Sequence, residues 1–93
     1  MNQTAWREFI KLCLITKNEK MLSDFFSFFL TQEEKENIAL RYLIINDLLK
    51  QEKTQRNIAK DRHVSIAKIT RGSNELKRAL PKLIKFLKEN IYH

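Results

Sequence analysis

Residues that interrupt secondary structure or cross-link a chain are scarce here: the 93 residues include one cysteine, one glycine and one proline. A single cysteine, Cys13, excludes an intrachain disulfide and a cysteine-based metal cluster. With few helix breakers and no alternating strand pattern, the chain is predicted to be all-α. It lacks an apolar run near the roughly eighteen residues that span a bilayer, and its opening lacks the order of a signal peptide. We therefore expect a cytoplasmic protein with no membrane contact.

Charge is distributed unevenly along the chain. The net charge is +7; residues 1–50 carry seven basic and seven acidic side chains, whereas residues 51–93 carry eleven basic and four acidic ones. A basic half joined to a neutral half is typical of a protein that binds an acidic polymer through one part. A basic surface that serves only solubility is the alternative interpretation.

Cap and turn signals divide the chain into six predicted helices. Thr31 with Glu34 forms a capping box at the start of the third helix. Thr54 and Ser65 are candidate N-caps of the fourth and fifth helices. Pro81 suits the first turn of the last helix.

The predicted helices carry more apolar surface than one short chain can cover. Residues 19–30 are apolar nearly all round, and the third helix has two apolar rows, which implies that it is covered on two sides. A dimer whose helices cover each other is favoured over a monomer with a large exposed patch. The two rows are Ile38, Tyr42, Ile45 and Leu49, and Leu40, Ile44 and Leu48.

Residues 54–78 have the pattern of a helix-turn-helix DNA-reading head. Ile58 and the small Ala59 lie early in the first helix, and Val64 and Ile69 follow the turn to hold the second helix. His63 occupies the turn position, where a positive φ is required and His is one of the non-glycine residues found there.

Two residues depart from this pattern. Arg62 stands where an apolar residue is usual, and Gly72 is expected to interrupt the second helix because glycine disfavours a helix interior.

No catalytic or metal site can be assembled from the sequence. His63 lies in the predicted turn and His93 is the last residue, so neither has a candidate partner for acid–base chemistry or metal binding. The acidic run at residues 33–36 is interpreted as a charged helix start. An enzyme is therefore not expected.

The candidate DNA-binding residues are exposed positions of the two-helix unit. Side chains that open the first helix commonly contact phosphate, and the start of the second helix enters the major groove. Lys68, Lys77 and Arg78 are expected to contact phosphate rather than bases. The full set is Gln55, Arg56, Ala59, Ile66, Ala67, Lys68, Thr70, Arg71, Asn74, Lys77 and Arg78.

Three motifs extend this interpretation to a family. ITRGSNELK at residues 69–77, LTQEEKENIALRY from Leu30 and TQRNIA from Thr54 closely resemble the tryptophan repressor family of bacteria, over roughly residues 5–90. The resemblance implies a single domain over residues 1–93, folded as a six-helix intertwined homodimer. Its core would be about 5–51 and 81–92, with the helix-turn-helix head at about 54–78.

The resemblance also implies a ligand, L-tryptophan, bound between core and head without a metal. Arg41 and Arg71 match the two arginines that sandwich the indole ring, and Arg71 would also bind the carboxylate. A guanidinium suits both tasks, because it stacks on aromatic faces and forms charge-assisted hydrogen bonds. Carbonyls of the other subunit would receive the amino group, and two further positions match the pocket wall. The carbonyls are those of Leu30 and Thr31, and the pocket-wall positions are Ile45 and Gly72.

Several positions differ from the family pattern. Glu75 replaces a small hydroxyl residue near the ligand amino group, where it can pair with the ammonium or repel the carboxylate. Lys68 replaces a frequent threonine and adds charge on the DNA face near the pocket, and Gln51 stands where glycine often separates core and head. The pair Arg62 and His63 replaces a hydrophobic–glycine pair, which leaves the mobility of the head open.

The predicted function is an L-tryptophan-dependent repressor that binds a palindromic operator in double-stranded DNA as a dimer. Its targets would be genes of tryptophan biosynthesis or salvage. One alternative is a helix-turn-helix DNA binder that is constitutive or uses another small ligand. A second is a helical interaction protein whose basic half binds acidic protein or RNA.

Overall fold

A computed structural model describes residues 1–91, and these form six α-helices and no strand. The all-α prediction is confirmed for this part of the chain, whereas Tyr92 and His93, including the predicted core limit at residue 92, lie outside it. Two compact units divide the chain, residues 1–36 and residues from Asn37 onward. The helices are α1 Gln3–Ile15, α2 Glu19–Phe29, α3 Gln32–Lys50, α4 Gln55–Arg62, α5 Ile66–Arg78 and α6 Pro81–Ile91.

Side-chain caps start several of these helices. The Thr31 backbone N–H donates to Glu34 Oε1 at 2.8 Å, and the Glu34 N–H donates to Thr31 Oγ1 at 3.1 Å, which confirms the capping box. The bond from the Thr31 N–H also lowers the pKa of Glu34. Thr54 caps α4 by accepting from the Asn57 N–H at 3.1 Å. Ser65 stands at the N-cap of α5 but makes no side-chain cap bond, so that prediction is only half right.

Aromatic contacts organise the first unit, in which no residue of α1 or α2 is fully buried. The Phe9 ring lies 5.5 Å from Trp6, 5.2 Å from Phe25 and 5.3 Å from Phe29, measured between ring centroids. Phe28 is 83% exposed. In one chain, therefore, much of the aromatic surface of this unit is still in contact with water.

The second unit has a small buried core built from three helices. Ile44 of α3, Ile58 and Ala59 of α4 and Ile69 of α5 form it. Leu40, Leu48 and Val64 pack against this cluster. The predicted row of Leu40, Ile44 and Leu48 therefore faces α4 and α5.

The other predicted row of α3 is only partly covered. Leu49 is buried, but Ile38 and Tyr42 are about half exposed in the single chain. Coverage of α3 on two sides stays a prediction, which depends on the dimer.

A left-handed residue makes the turn between α4 and α5. His63 has φ 56° and ψ 43°, as the sequence pattern predicted for the turn position. The Val64 N–H donates to the Ala59 carbonyl at 3.0 Å and closes the end of α4. α3 is followed by a second positive-φ residue, Gln51, at φ 56°.

Arg62 forms an ion pair with α3 that the sequence did not reveal. Its Nε donates to Asp47 Oδ2 at 2.7 Å and its Nη2 donates to Asp47 Oδ1 at 2.9 Å, a bidentate pair between α4 and α3. The Asp47 side chain is 8% exposed. Hydrogen bonding to Arg62 lowers the pKa of Asp47. The apolar position of the usual pattern is thus replaced by a partly buried ion pair that ties the head to α3.

Gly72 does not interrupt α5, which runs without a break from Ile66 to Arg78. The reason for a glycine is contact with α3: a Cβ at this position would lie 3.2 Å from Ile44 Cγ2 and 3.3 Å from Leu48 Cδ1. The missing side chain lets the two helices approach each other.

Replacement of Gly72 by valine is expected to lower the free energy of unfolding by about 1.5 kcal/mol, because its methyl groups overpack the contact with Ile44 and Leu48. Alanine should cost less, since its higher helix propensity offsets part of the crowding. Urea unfolding measures both. Ala67→Val, on an exposed position of α5, reports the effect of β-branching alone; an equal loss in that variant would show that crowding is not the cause.

Candidate ligand pocket and nucleic-acid surface

A pocket lies between α3 and α5, within the second unit. Its volume is about 580 Å³, which lies within the range of roughly 300–1,000 Å³ typical of small-molecule sites. α3 contributes apolar side chains, an amide and one guanidinium, and α5 contributes charged groups and the glycine. The lining residues are Asn37, Leu40, Arg41, Ile44, Ile45, Lys68, Arg71, Gly72 and Glu75.

The two arginines singled out in the sequence line this one cavity. Arg41 reaches it from α3 and Arg71 from α5, and both residues are exposed. Since a guanidinium stacks on planar rings and pairs with carboxylates, the pocket has the groups to hold a flat, negatively charged molecule.

Gly72 and Ile45 contribute to the pocket wall beside these arginines. The close approach at Gly72 therefore shapes the cavity as well as the packing of α5. Leu30 and Thr31 belong to the first unit, at the junction of α2 and α3, and their role toward a partner's ligand stays a prediction.

Three lining residues were not among the predicted ligand residues: Asn37, Leu40 and Ile44. Asn37 lies four residues before Arg41, a spacing that places two side chains on the same face of a helix. This spacing from Arg41 was the sequence feature that could have identified Asn37 as a lining residue. Leu40 and Ile44 were recognised only as members of an apolar row.

α5 supplies both basic and acidic side chains to the pocket. Lys68 and Glu75 both line it, and Glu75 accepts a hydrogen bond from Arg78 one turn further along the helix. Lys68 was predicted as a phosphate contact near the pocket, and the structure places it among the lining residues.

The exposed side of α4 and α5 carries most of the predicted DNA-binding residues. Thr70 Oγ1 donates to Gln55 Oε1 at 3.1 Å, so the start of α4 is joined to α5 at this surface. Ala59 departs from the prediction, because it is 7% exposed and lies in the core, where its small size permits packing. The exposed members are Arg56, Ile66, Ala67, Lys68, Thr70, Arg71, Asn74, Lys77 and Arg78.

α5 thus contributes to the buried core, to the pocket and to the exposed basic surface. Ile69 is fully buried, Gly72 lines the pocket and Lys77 is exposed. A change in the pocket acts on the same helix that presents the basic surface.

Residues 1–91 contain neither a metal-binding cluster nor a membrane-spanning helix. No group of His, Cys, Asp or Glu side chains there is arranged to hold a metal ion. Within the same residues, no helix combines the length and apolar character that crossing a membrane requires.

The chain is similar to proteins of one family over nearly its whole length. The family described as Trp repressor protein matches residues 4–91. A Trp operon repressor homolog of Chlamydia caviae is 48% identical over 87 residues, covering 94% of this chain and 86% of that protein. One of Chlamydia trachomatis is 47% identical over 89 residues, covering 96% and 95% respectively. One of Haemophilus influenzae is 30% identical over 90 residues, covering 97% and 89%.

Proposed function

Because this chain belongs to the Trp repressor protein family, a family of DNA-binding transcriptional regulators and not of enzymes, we propose that it is a repressor activated by L-tryptophan. In this proposal it binds a palindromic operator in double-stranded DNA as a homodimer, with L-tryptophan as corepressor. The regulated genes are those of tryptophan biosynthesis or salvage.

The observation that carries the proposal is the pair of arginines in one cavity. Arg41 and Arg71 line the pocket from different helices. The indole ring lies between their guanidinium groups, and Arg71 also receives the ligand carboxylate. Each guanidinium stacked on an indole contributes roughly 0.5–2 kcal/mol, and the charge-assisted bond to the carboxylate adds about 1.5–3 kcal/mol.

The dimer has two supports. Apolar side chains that one chain leaves exposed include Trp6, Phe28 and Tyr42, and a second copy covers them. A two-fold axis also presents two copies of α5 about 34–36 Å apart, the spacing of successive major grooves. In the dimer the carbonyls of Leu30 and Thr31 serve the ligand of the other subunit.

Within each head, α5 enters the major groove by its N-terminal turns. Ala67 permits close approach to the base edges and Ile66 contacts a thymine methyl group. Arg56, Lys68 and Lys77 contact phosphate, and Gln55, held by Thr70, belongs to the same surface. Arg71 and Asn74 complete it.

Ligand and operator are coupled through α5, because this helix contributes both to the pocket and to the basic surface. A ligand that bridges α3 and α5 holds the head in the orientation that fits DNA. Such coupling is reciprocal and typically amounts to about 1–3 kcal/mol. If free heads are mobile, part of it is ordering entropy that the ligand supplies in advance.

The direct test is operator binding with and without L-tryptophan at fixed salt, using duplexes selected from a random pool. Affinity is expected to rise by about 5- to 150-fold with ligand, the range that this coupling energy gives. Equal affinities would reject the ligand switch and leave the DNA reader intact.

A second candidate is a head of the same kind that is constitutive or uses another small ligand. Glu75 and Lys68 in the pocket favour it, because each adds a charge that an indole ring does not need. Calorimetry against tryptophan, other indoles and other amino acids separates the two candidates.

Replacement of Lys77 by glutamine is expected to weaken binding to all duplexes alike. Each lost phosphate contact flattens the slope of log K against log salt concentration by about 0.9, so the two copies of Lys77 in a dimer give a change of about 1.8. Salt titration of the complex measures this slope. Lys17→Gln, which changes the net charge equally but lies outside α4 and α5, serves as control. The same flattening in both variants would contradict a local contact at Lys77.

A further inference from the structure

A salt bridge joins the DNA-reading head to α3. Within residues 1–91 it is the one salt bridge that links two helices, since the others lie inside one helix or join a loop to a helix. Arg62, the last residue of α4, donates to the two carboxylate oxygens of Asp47 at 2.7 Å and 2.9 Å. A bidentate bond of this kind fixes direction as well as distance. The end of α4 is therefore held in a defined orientation on α3.

The place of Arg62 in the chain extends this effect to α5. Arg62 directly precedes His63, whose left-handed conformation turns the chain from α4 into α5. A residue other than glycine at positive φ costs free energy, and the conformation persists where the surrounding structure holds it in place. Arg62 is bonded to α3 on one side of this turn, and Val64 packs against the buried cluster on the other. The salt bridge thus helps to orient both helices of the head.

The apolar core that holds the head on α3 is small. Its buried members are Ile44, Ile58, Ala59 and Ile69. Elements with few buried apolar contacts are those that open locally, because little apolar surface has to be exposed. Without Arg62, a closed head would leave Asp47, 8% exposed, as an unpaired charge, whereas an opened head would return it to water. The balance between the closed and the opened head therefore depends on this pair.

We propose that Arg62 and Asp47 are positioning residues for DNA binding: their salt bridge keeps the head ordered on α3 when no ligand is bound, so that the chain retains operator affinity without its corepressor. The salt bridge links α4 to α3, and the ligand of the proposed function links α5 to the same helix. Both links act on one equilibrium between an ordered and an opened head, so each partly replaces the other. This inference rests on the proposed ligand-dependent repressor.

Two variants with opposite changes of charge test the salt bridge. Arg62→Met removes a positive charge and Asp47→Asn removes a negative one. If Arg62 acted by contacting phosphate, the first variant would weaken DNA binding and the second would strengthen it. If the pair positions the head, both variants weaken operator binding in the absence of ligand. Asp47→Asn is the milder change, because it leaves no buried charge without a partner, and far-UV circular dichroism checks that each variant keeps its helices.

The expected losses depend on whether L-tryptophan is present. Without it, affinity for duplexes selected from a random pool should fall about tenfold in Arg62→Met and about threefold in Asp47→Asn. With saturating L-tryptophan both variants should stay within about twofold of the wild type, because the ligand then holds the head. Calorimetry without DNA should show L-tryptophan affinity falling by the same factor as ligand-free operator affinity, since an opened head binds neither.

Amide hydrogen exchange of the ligand-free protein measures the order of the head without DNA. Arg62→Met should speed exchange in α4 and α5 about tenfold and leave α1 and α2 unchanged. Lys53→Met is the matched control, because it breaks a pair of the same length whose side chains are 47% and 49% exposed. It should leave exchange in the head within about twofold.

Three results would overturn the inference. Equal losses of operator affinity with and without L-tryptophan would show that the pair does not act through the order of the head. Stronger operator binding by Asp47→Asn would identify Arg62 as a phosphate contact, and unchanged exchange in α4 and α5 would show that the head is ordered without the pair. A wild type that binds operator equally with and without L-tryptophan would reject the proposed ligand switch; the ligand-free titrations and the exchange rates would then decide this inference by themselves.

Discussion

Replacement of Arg71 by methionine is expected to weaken L-tryptophan binding by about 100-fold or more. The variant loses a charge-assisted bond to the carboxylate, worth about 1.5–3 kcal/mol, and a cation–π contact of roughly 0.5–2 kcal/mol. Operator affinity in the presence of ligand should fall as well, because Arg71 belongs to both the pocket and the exposed surface of α5. Calorimetry measures the first effect and a duplex-binding titration the second.

Arg71→Lys is the matched control, since it keeps the charge and loses the planar fork. It should recover little of the ligand affinity, because an ammonium neither stacks as well nor pairs in a bidentate way, but most of the operator affinity when L-tryptophan is saturating. If both variants bind L-tryptophan as tightly as the wild type, Arg71 does not contact the ligand.

Replacement of Arg62 by methionine is expected to lower the free energy of unfolding by about 3 kcal/mol. Asp47, 8% exposed, would keep its charge without a partner, and removal of one member of a buried pair typically costs about 3–5 kcal/mol. We place the effect at the lower end because the Arg62 side chain is 31% exposed and therefore partly screened by water. Urea unfolding at fixed protein concentration measures it.

The neighbouring pair of Lys53 and Asp61 provides a control of equal length and different burial. Its N–O distance is also 2.7 Å, but its side chains are 47% and 49% exposed. Lys53→Met should therefore change stability by less than about 1 kcal/mol. Equal losses in Lys53→Met and Arg62→Met would show that burial of Asp47 does not set the cost.

The same pair predicts a pH dependence. Hydrogen bonding to Arg62 lowers the pKa of Asp47 in the folded protein below its ordinary value. Its stabilisation is thus fully present above about pH 4 and is lost as pH falls through the folded pKa. The difference in stability between wild type and Arg62→Met should shrink below about pH 4. A constant difference down to pH 2 would contradict this linkage.

Local signals accounted for most of the helix boundaries. The capping box at Thr31 and Glu34, the cap at Thr54 and the first-turn proline at Pro81 all stand where they were expected. Such signals act over three or four residues, so a sequence contains them completely. His63 in the left-handed turn was predicted on the same basis.

The pocket was predictable only through resemblance. Without the resemblance, Arg41 would be interpreted as a surface residue and Gly72 as a residue that destabilises its helix. The motif from Leu30 identified Arg41 and the motif at residues 69–77 identified Gly72 as candidate ligand residues, and the structure places both on one cavity. Asn37 and the hydrogen bond between Glu75 and Arg78 had no counterpart in that resemblance.

By itself, then, the sequence determined an all-helical chain, its caps and its turn, because each depends on a few neighbouring residues. Only the tertiary structure decided what Arg62 and Gly72 do. Arg62 meets Asp47 across fifteen positions of the chain, and Gly72 meets Ile44 where α5 crosses α3. Contacts between helices depend on where the packed core sets their separation, and no local pattern specifies that distance.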